Sequence, residues 1–221
     1  MKSDDIGKFG LGTRAVHAGQ APDPSTGAVM TPIYQTSTYA QSAPGVHQGH
    51  EYARVTNPTR SALEGNLAAL ESARFGICFA SGVAATDAIV RCLRPGDHIL
   101  ASNDLYGGTY RLMRQVFGPF GIESDFVDMS DLSVVKAAFK PNTKLVWIET
   151  PTNPLVRVVD LKALCDMAHA HGAVAAVDNT FASPILQRPL EWGADLVVHS
   201  TTKYLGGHSD VIGGAVCTNS V

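Results

Sequence analysis

Residues 144–178 read KLVWIETPTNPLVRVVDLKALCDMAHAHGAVAAVD, and this stretch decides the fold. It opens on KLVWIET (144–150), an apolar run of strand length, and closes on a second, AVAAVD (173–178). Between them Asp160 stands where a helix N-cap belongs. Leu161, Leu164, Cys165 and Ala168 follow on one helical face, and Gly172 supplies a stop. Both strands are apolar on successive rather than alternate residues, which is the pattern of a parallel sheet covered on both faces.

The alternation extends both ways. Asn57-Pro58-Thr59 gives a helix start, followed by Leu63, Leu67 and Leu70 on one face. ICFA (77–80) reads as a strand, then Ser81-Gly82 opens a helix running through Ile89, Val90 and Leu93. A turn at Arg94-Pro95-Gly96-Asp97 leads into the strand HILAS (98–102). A helix around Arg111–Phe117, a strand at IESDFVD (122–128) and a helix bearing Leu132, Val135 and Phe139 come next. DLVVHS (195–200) and VIGGAVC (211–217) are further strands. The fold class is therefore α/β, a mostly parallel sheet with helices on both faces. Residues 1–57 differ: a Gly-, Pro-, Ser- and Thr-rich stretch (GQAPDPSTGAVMTPIYQTSTYAQSAPG) shows no sustained period, yet its tyrosines and isoleucine favour packing.

Composition bounds the function. At 45% hydrophobic and 17% charged, the 221-residue chain is not of the disordered class. A formal charge of −3 gives no field to attract nucleic acid or an anionic membrane. No apolar run approaches the roughly 18 residues of a membrane helix. MKSDDIGKFG lacks the apolar core of a secretory leader, so a soluble, cytoplasmic protein is expected. Cys78, Cys92, Cys165 and Cys217 form no CxxC pair, sit in apolar stretches and are expected as buried thiols. The eight histidines lack ligand spacing, so no metal site is expected.

In open α/β sheets, ligands sit beyond the C-terminal ends of the strands. The polar residues found there are Ser81-Gly82, Asn103 to Gly108, Pro151 to Pro154, Asp178-Asn179-Thr180 and Ser200 to Lys203. Ser81-Gly82-Val83 opens a helix whose N–H groups suit a phosphate, and Ser200 and Thr202 add hydroxyls. Asp178 calls for a cationic partner, Tyr106 offers a flat face, and Lys203 stands ready to form a Schiff base with an aldehyde. Pyridoxal 5′-phosphate (PLP) has the phosphate, ring nitrogen, ring face and aldehyde to match. No GxGxxG follows a strand, which argues against a dinucleotide site.

Four motifs then carry a resemblance: Ser200-Thr-Thr-Lys203-Tyr-Leu-Gly-Gly-His, Val177-Asp178-Asn179-Thr180, Glu149-Thr-Pro-Thr-Asn153-Pro and Tyr52-Ala-Arg54-Val-Thr-Asn-Pro-Thr. With these the sequence, from about Gly12 onward, resembles the Cys/Met-metabolism enzymes. These are the PLP-dependent trans-sulfuration enzymes, of the aspartate aminotransferase-like fold type I. The resemblance implies that Lys203 holds PLP and shuttles protons, while Asp178 pairs with the pyridine N–H. It implies that Tyr106 stacks on the ring and helps protonate the departing group. Ser81, Gly82, Val83, Ser200 and Thr202 would line the phosphate site, and Asn153 would hydrogen-bond the 3-oxygen. Tyr52 and Arg54 match residues that reach a neighbouring subunit's phosphate, so residues 1–57 are expected as an arm in a homotetramer. Residues 58–221 are then the PLP-binding large domain, ending before the smaller C-terminal domain that supplies the substrate's carboxylate clamp.

The run Leu105 to Arg111 resembles cystathionine γ-synthases and γ-lyases more than β-lyases. Gly108 stands where methionine γ-lyases typically carry cysteine. The expected activity is γ-elimination of cystathionine or γ-replacement on an O-acylhomoserine with cysteine. The alternatives are another member (O-acylhomoserine sulfhydrylase, methionine γ-lyase, cystathionine β-lyase) and a catalytically silent PLP-binding fragment.

Overall fold

The computed structural model describes residues 8–220; residues 1–7, part of the stretch read above for a leader, and residue 221 lie outside the described residues. The chain divides into two compact units with the boundary after Leu70.

Among the described residues the N-terminal unit carries two helices, α1 (Leu11–His17) and α2 (Pro58–Leu70), which pack together. Asn57 caps α2 as its side chain predicts, Oδ1 accepting the N–H groups of Thr59 at 2.9 Å and Arg60 at 3.3 Å. The loops between the helices are tied by two isolated antiparallel bridges, Thr38 with Tyr52 and Ala43 with Val46, and by side chains. Asp23 accepts from Ser25, Thr26 and Tyr34, and those bonds hold its carboxyl well below the usual range.

The second unit is a seven-stranded sheet. Its strands are β1 (Phe75–Phe79), β2 (His98–Ser102), β3 (Glu123–Val127), β4 (Thr143–Glu149), β5 (Val174–Asp178), β6 (Leu196–His199) and β7 (Gly214–Thr218). Their order is β1-β7-β6-β5-β4-β2-β3. Pairing is parallel throughout except at β7, which runs antiparallel to both β1 and β6. Two features are absent from the sequence reading. The last strand starts three residues later than the apolar run, and it is the antiparallel member of the mostly parallel sheet, a direction the sequence did not specify. Gly213 and Gly214 explain the start, since a β-carbon on either would overlap Thr201 or the Ser81 backbone.

The helices of this unit are α3 (Gly82–Val90), α4 (Gly107–Arg111), α5 (Leu132–Ala138), α6 (Leu161–Ala170) and α7 (Ser183–Leu186). Helix α4 begins four residues before the stretch expected and continues as a wide π turn through Leu112–Phe117. Asp160 caps α6, its Oδ1 accepting the Ala163 N–H at 3.0 Å, and Gly172 ends the turn beyond it at φ +68°.

The pleat sorts the core into two layers. Ile99, Ala101, Leu145, Trp147, Ala176 and Val198 face α3 and the π turn, packing on Ala85, Ile89, Met113 and Phe117. Leu100, Val146, Ile148, Ala175 and Val177 face the other way, onto α6 and Val135 of α5. Neighbouring residues of one strand thus serve opposite faces, which is why the central strands read as unbroken apolar runs. The thiols divide likewise. Cys165 and Cys217 are buried, but Cys78 is half-buried and Cys92 is exposed, contrary to expectation. Cys92 follows α3 by two residues, where its neighbours Arg91 and Arg94 are also at the surface.

Candidate functional site

A cleft of about 240 Å³ opens in the second unit, lined by residues from the C-terminal ends of β1, β2, β4, β5 and β6. Nine residues singled out from the sequence line it: Ser81, Gly82, Val83, Tyr106, Asn153, Asp178, Ser200, Thr202 and Lys203. Tyr52 and Arg54 do not. They lie in the N-terminal unit, the Arg54 guanidinium 4.9 Å above the Tyr52 ring.

Ser81 is the N-cap of α3, and its Oγ accepts the Ala84 N–H at 3.1 Å. That leaves the Gly82 and Val83 amides at the open end of the helix, where the dipole favours an anion. Gly82 is needed for contact rather than for a turn. A β-carbon there would lie 2.7 Å from Ser200 Cβ and 2.9 Å from Ser200 Cα. The start of α3 and the loop after β6 therefore meet through the missing side chain. Gly82→Val should force these two segments apart, costing about 1–3 kcal/mol of stability. It should also weaken PLP binding at least tenfold, on the order of the loss of one well-placed anion contact. Urea unfolding and a PLP titration of the visible band measure both, and wild-type affinity in the variant would count against an anion cradle here.

Asp178 closes β5. Its Oδ1 accepts the Thr180 N–H at 3.1 Å and the Thr180 hydroxyl at 2.6 Å, and Thr180 Oγ1 in turn accepts the Ser200 N–H at 2.9 Å. Oδ2 has no partner among the described residues. Burial pushes the Asp178 carboxyl up, opposed by the two Thr180 bonds and by the charges of His199 and Lys203. A fixed carboxylate with one vacant oxygen in a polar cleft suits a ring cation. The Lys203 ammonium donates to Ser200 Oγ at 3.2 Å. The Thr202 hydroxyl is already engaged, donating to the Gly213 carbonyl at 3.2 Å and accepting the Gly213 N–H at 3.1 Å. Thr202 thus ties β7 to the site instead of offering a spare hydroxyl.

The Tyr106 ring rests where a β-carbon on Gly108 would overlap it, so the glycine sets the ring's pose. The Tyr106 backbone N–H donates to Glu149 Oε2 at 3.0 Å. Glu149 is a lining residue that the sequence reading quoted but did not select. It ends β4 in register with Asp178, so the strand-end rule that chose Asp178 also reaches it. Burial pushes its carboxyl up to about 8, and the Asp178 charge beside it adds to the rise. Thr180 was in view as a strand-end residue without a role, and Thr86, Thr109, Phe181 and Ile212 were not singled out.

The raised Glu149 has a measurable consequence in the cofactor-free protein. Its carboxyl titrates near 4.5 when unfolded and near 8 when folded. Between those values the folded state holds the extra proton, so its stabilising contribution is full below the lower value and lost as pH rises through the upper. The slope is up to about 1.4 kcal/mol per pH unit. Glu149→Gln should flatten this fall when urea unfolding is compared between pH 5 and 8. An equal slope in both proteins would remove the assignment.

The residues present therefore fit a phosphorylated, cationic, aldehyde-bearing ring: free amides for its phosphate, a vacant carboxylate oxygen for its nitrogen, and an amine for its aldehyde.

The chain is similar to known proteins. The family model for Cys/Met metabolism PLP-dependent enzymes matches residues 12–221. A probable cystathionine γ-synthase of Herpetosiphon aurantiacus is 55% identical over 212 residues, covering 96% of this chain and 66% of that protein. A cystathionine β-lyase of Coxiella burnetii is 53% identical over 215 residues, covering 97% of this chain and 56% of that protein. The crystal structure of cystathionine γ-lyase from Lactobacillus plantarum, complexed with L-serine, superposes with a TM-score of 0.93 at 47% identity. It covers 96% of this chain and 55% of that one. The chain thus spans between half and two thirds of the length of these relatives.

Proposed function

The chain belongs to the Cys/Met metabolism PLP-dependent enzymes, the large domain of fold type I, and from that premise we propose that its cleft binds PLP and serves γ-carbon chemistry on sulfur amino acids. The reaction is γ-elimination of cystathionine or γ-replacement on an O-acylhomoserine with cysteine. The observation that carries the reading is the gathering of Lys203, Asp178, Tyr106 and the α3 N-terminus in one cleft. The pose of Tyr106 over Gly108 supports the γ-synthase and γ-lyase reading over methionine γ-lyase, since a cysteine at 108 would displace the ring.

In this proposal the Gly82 and Val83 amides, with Ser200, hold the phosphate. Asp178 Oδ2 would accept the ring N–H and hold that proton in place. Asn153 donates to the 3-oxygen, and Tyr106 covers one ring face. Bound PLP supplies an electron sink for charge developing at the substrate's α-carbon. Lys203 Nζ would hold the cofactor through its aldehyde and would be the amine that moves protons at the substrate carbons. Residues 1–57 are the arm of a cytoplasmic homotetramer, bringing Tyr52 and Arg54 to a neighbour's phosphate. A tetramer by sedimentation, with weaker PLP binding in Arg54→Ala, would agree with that part.

The test of the whole is spectroscopic and then catalytic. PLP added to the purified protein should produce a visible absorption band. Cystathionine, or O-acylhomoserine with cysteine, should then be consumed with release or formation of cystathionine's γ-carbon bond to sulfur. No band would reject PLP binding by this cleft; a band with turnover of methionine alone would reject the γ-synthase and γ-lyase assignment.

A further inference from the structure

Behind the cleft, on the sheet face that carries α6, lies a buried polar cluster that the proposed chemistry does not use. His199 Nε2 and Glu71 Oε1 are 2.5 Å apart, with His199 1% and Glu71 0% exposed. Asn179 Nδ2 donates to Glu71 Oε1 at 2.8 Å and to the Gln187 carbonyl at 2.9 Å. Gln187 Nε2 returns to Asn179 Oδ1 and to the Thr150 carbonyl, both at 3.1 Å. Glu71 Oε2 and His199 Nδ1 have no partner among the described residues.

Two of these residues are chain neighbours of cleft residues. Asn179 follows Asp178, and His199 precedes Ser200. Successive residues at a strand end point to opposite faces, so what grips Asn179 and His199 behind the sheet fixes the backbone that presents Asp178 and Ser200 in front. We propose that Glu71 and His199 are positioning residues for the cofactor cleft: their buried pair, extended through Asn179 and Gln187, clamps the ends of β5 and β6. Stability alone is a weak reason for such a pair, because desolvation cancels much of its attraction and apolar residues would serve as well. Orientation is a better one. His199 also acts with the two Thr180 bonds against the rise that burial imposes on the Asp178 carboxyl.

The inference rests on the reading of the cleft as the PLP site, and the arms of the test separate the two. The unaltered protein, Lys203→Ala, Glu71→Gln and His199→Gln are titrated with PLP, after far-UV circular dichroism and melting show which variants are folded. Glu71→Gln keeps shape and hydrogen bonding but removes the charge. In Glu71→Gln and His199→Gln, PLP affinity should fall roughly tenfold, the size typical of losing a supporting partner behind a ligand. The pH at which the bound visible band changes should shift as well. Unchanged affinity and pH profile in folded variants, with only a lower melting temperature, overturns the positioning role. No band in the unaltered protein overturns the cleft reading instead. Should neither variant fold, the His199 ring signals of the unaltered protein decide by NMR: movement on adding PLP supports the clamp, and no movement overturns it.

Discussion

Lys203→Ala is expected to abolish the visible band of bound PLP and to lower turnover by at least about 10⁴-fold, the scale on which covalent catalysts fail when their nucleophile is removed. Lys203 is the one lysine among the described residues lining the cleft, so no second amine stands ready to replace it. Its Nζ is held by a single bond to Ser200 Oγ at 3.2 Å, which leaves it able to turn between partners. The phosphate amides at the start of α3 are untouched by the substitution. PLP should therefore still bind, read as quenching of protein fluorescence without the band. A variant that kept both band and turnover would show that another group carries the chemistry.

The second large effect is at Asp178. Asp178→Asn keeps the size of the side chain and an oxygen for the Thr180 bonds, and removes only the charge opposite the ring nitrogen. Breaking a buried charge pair on one side costs about 3–5 kcal/mol. At 1.36 kcal/mol per tenfold, turnover should fall by about 10²- to nearly 10⁴-fold. The cofactor-free protein should move the other way. Burial already disfavours this carboxylate, so Asp178→Asn should leave apo stability unchanged or raise it. Loss of stability together with loss of turnover would mean a structural role; loss of turnover alone is the signature expected.

Much of this molecule is legible in its sequence because its signals are local. The caps at Asn57 and Asp160 bind the N–H groups that their side chains predict. The apolar runs at 98–102, 144–150 and 173–178 are the central strands. Ser81, Asp178 and Ser200 reach one cleft because parallel strands all end on the same side. What could not be read depends on partners far along the chain. An apolar strand carries no mark of its direction, so the reversal of β7 is hidden. Glu149 sits beside Asp178 only after β4 and β5 pair, and that adjacency helps raise its carboxyl. Thr202 looks like a ligand hydroxyl until Gly213 is found against it. The Glu71–His199 pair joins residues 128 apart in sequence, and no spacing rule reaches that far.

The place of β7 also governs the order in which the site can be made. In this sheet β1 is hydrogen-bonded to β7 alone, and β7 is the bridge from β1 to β6. A ribosome delivers β1 first and β7 last. Until Thr218 has emerged, the strand that leads into Ser81 and Gly82 has no neighbour in the sheet, and the α3 amides lack a ladder to seat them against Ser200. The strands β2 to β6 can pair while the amides at the start of α3 still lack their ladder, so the anion cradle closes only once β7 has joined β1 to β6, a loop closure spanning most of the described sheet.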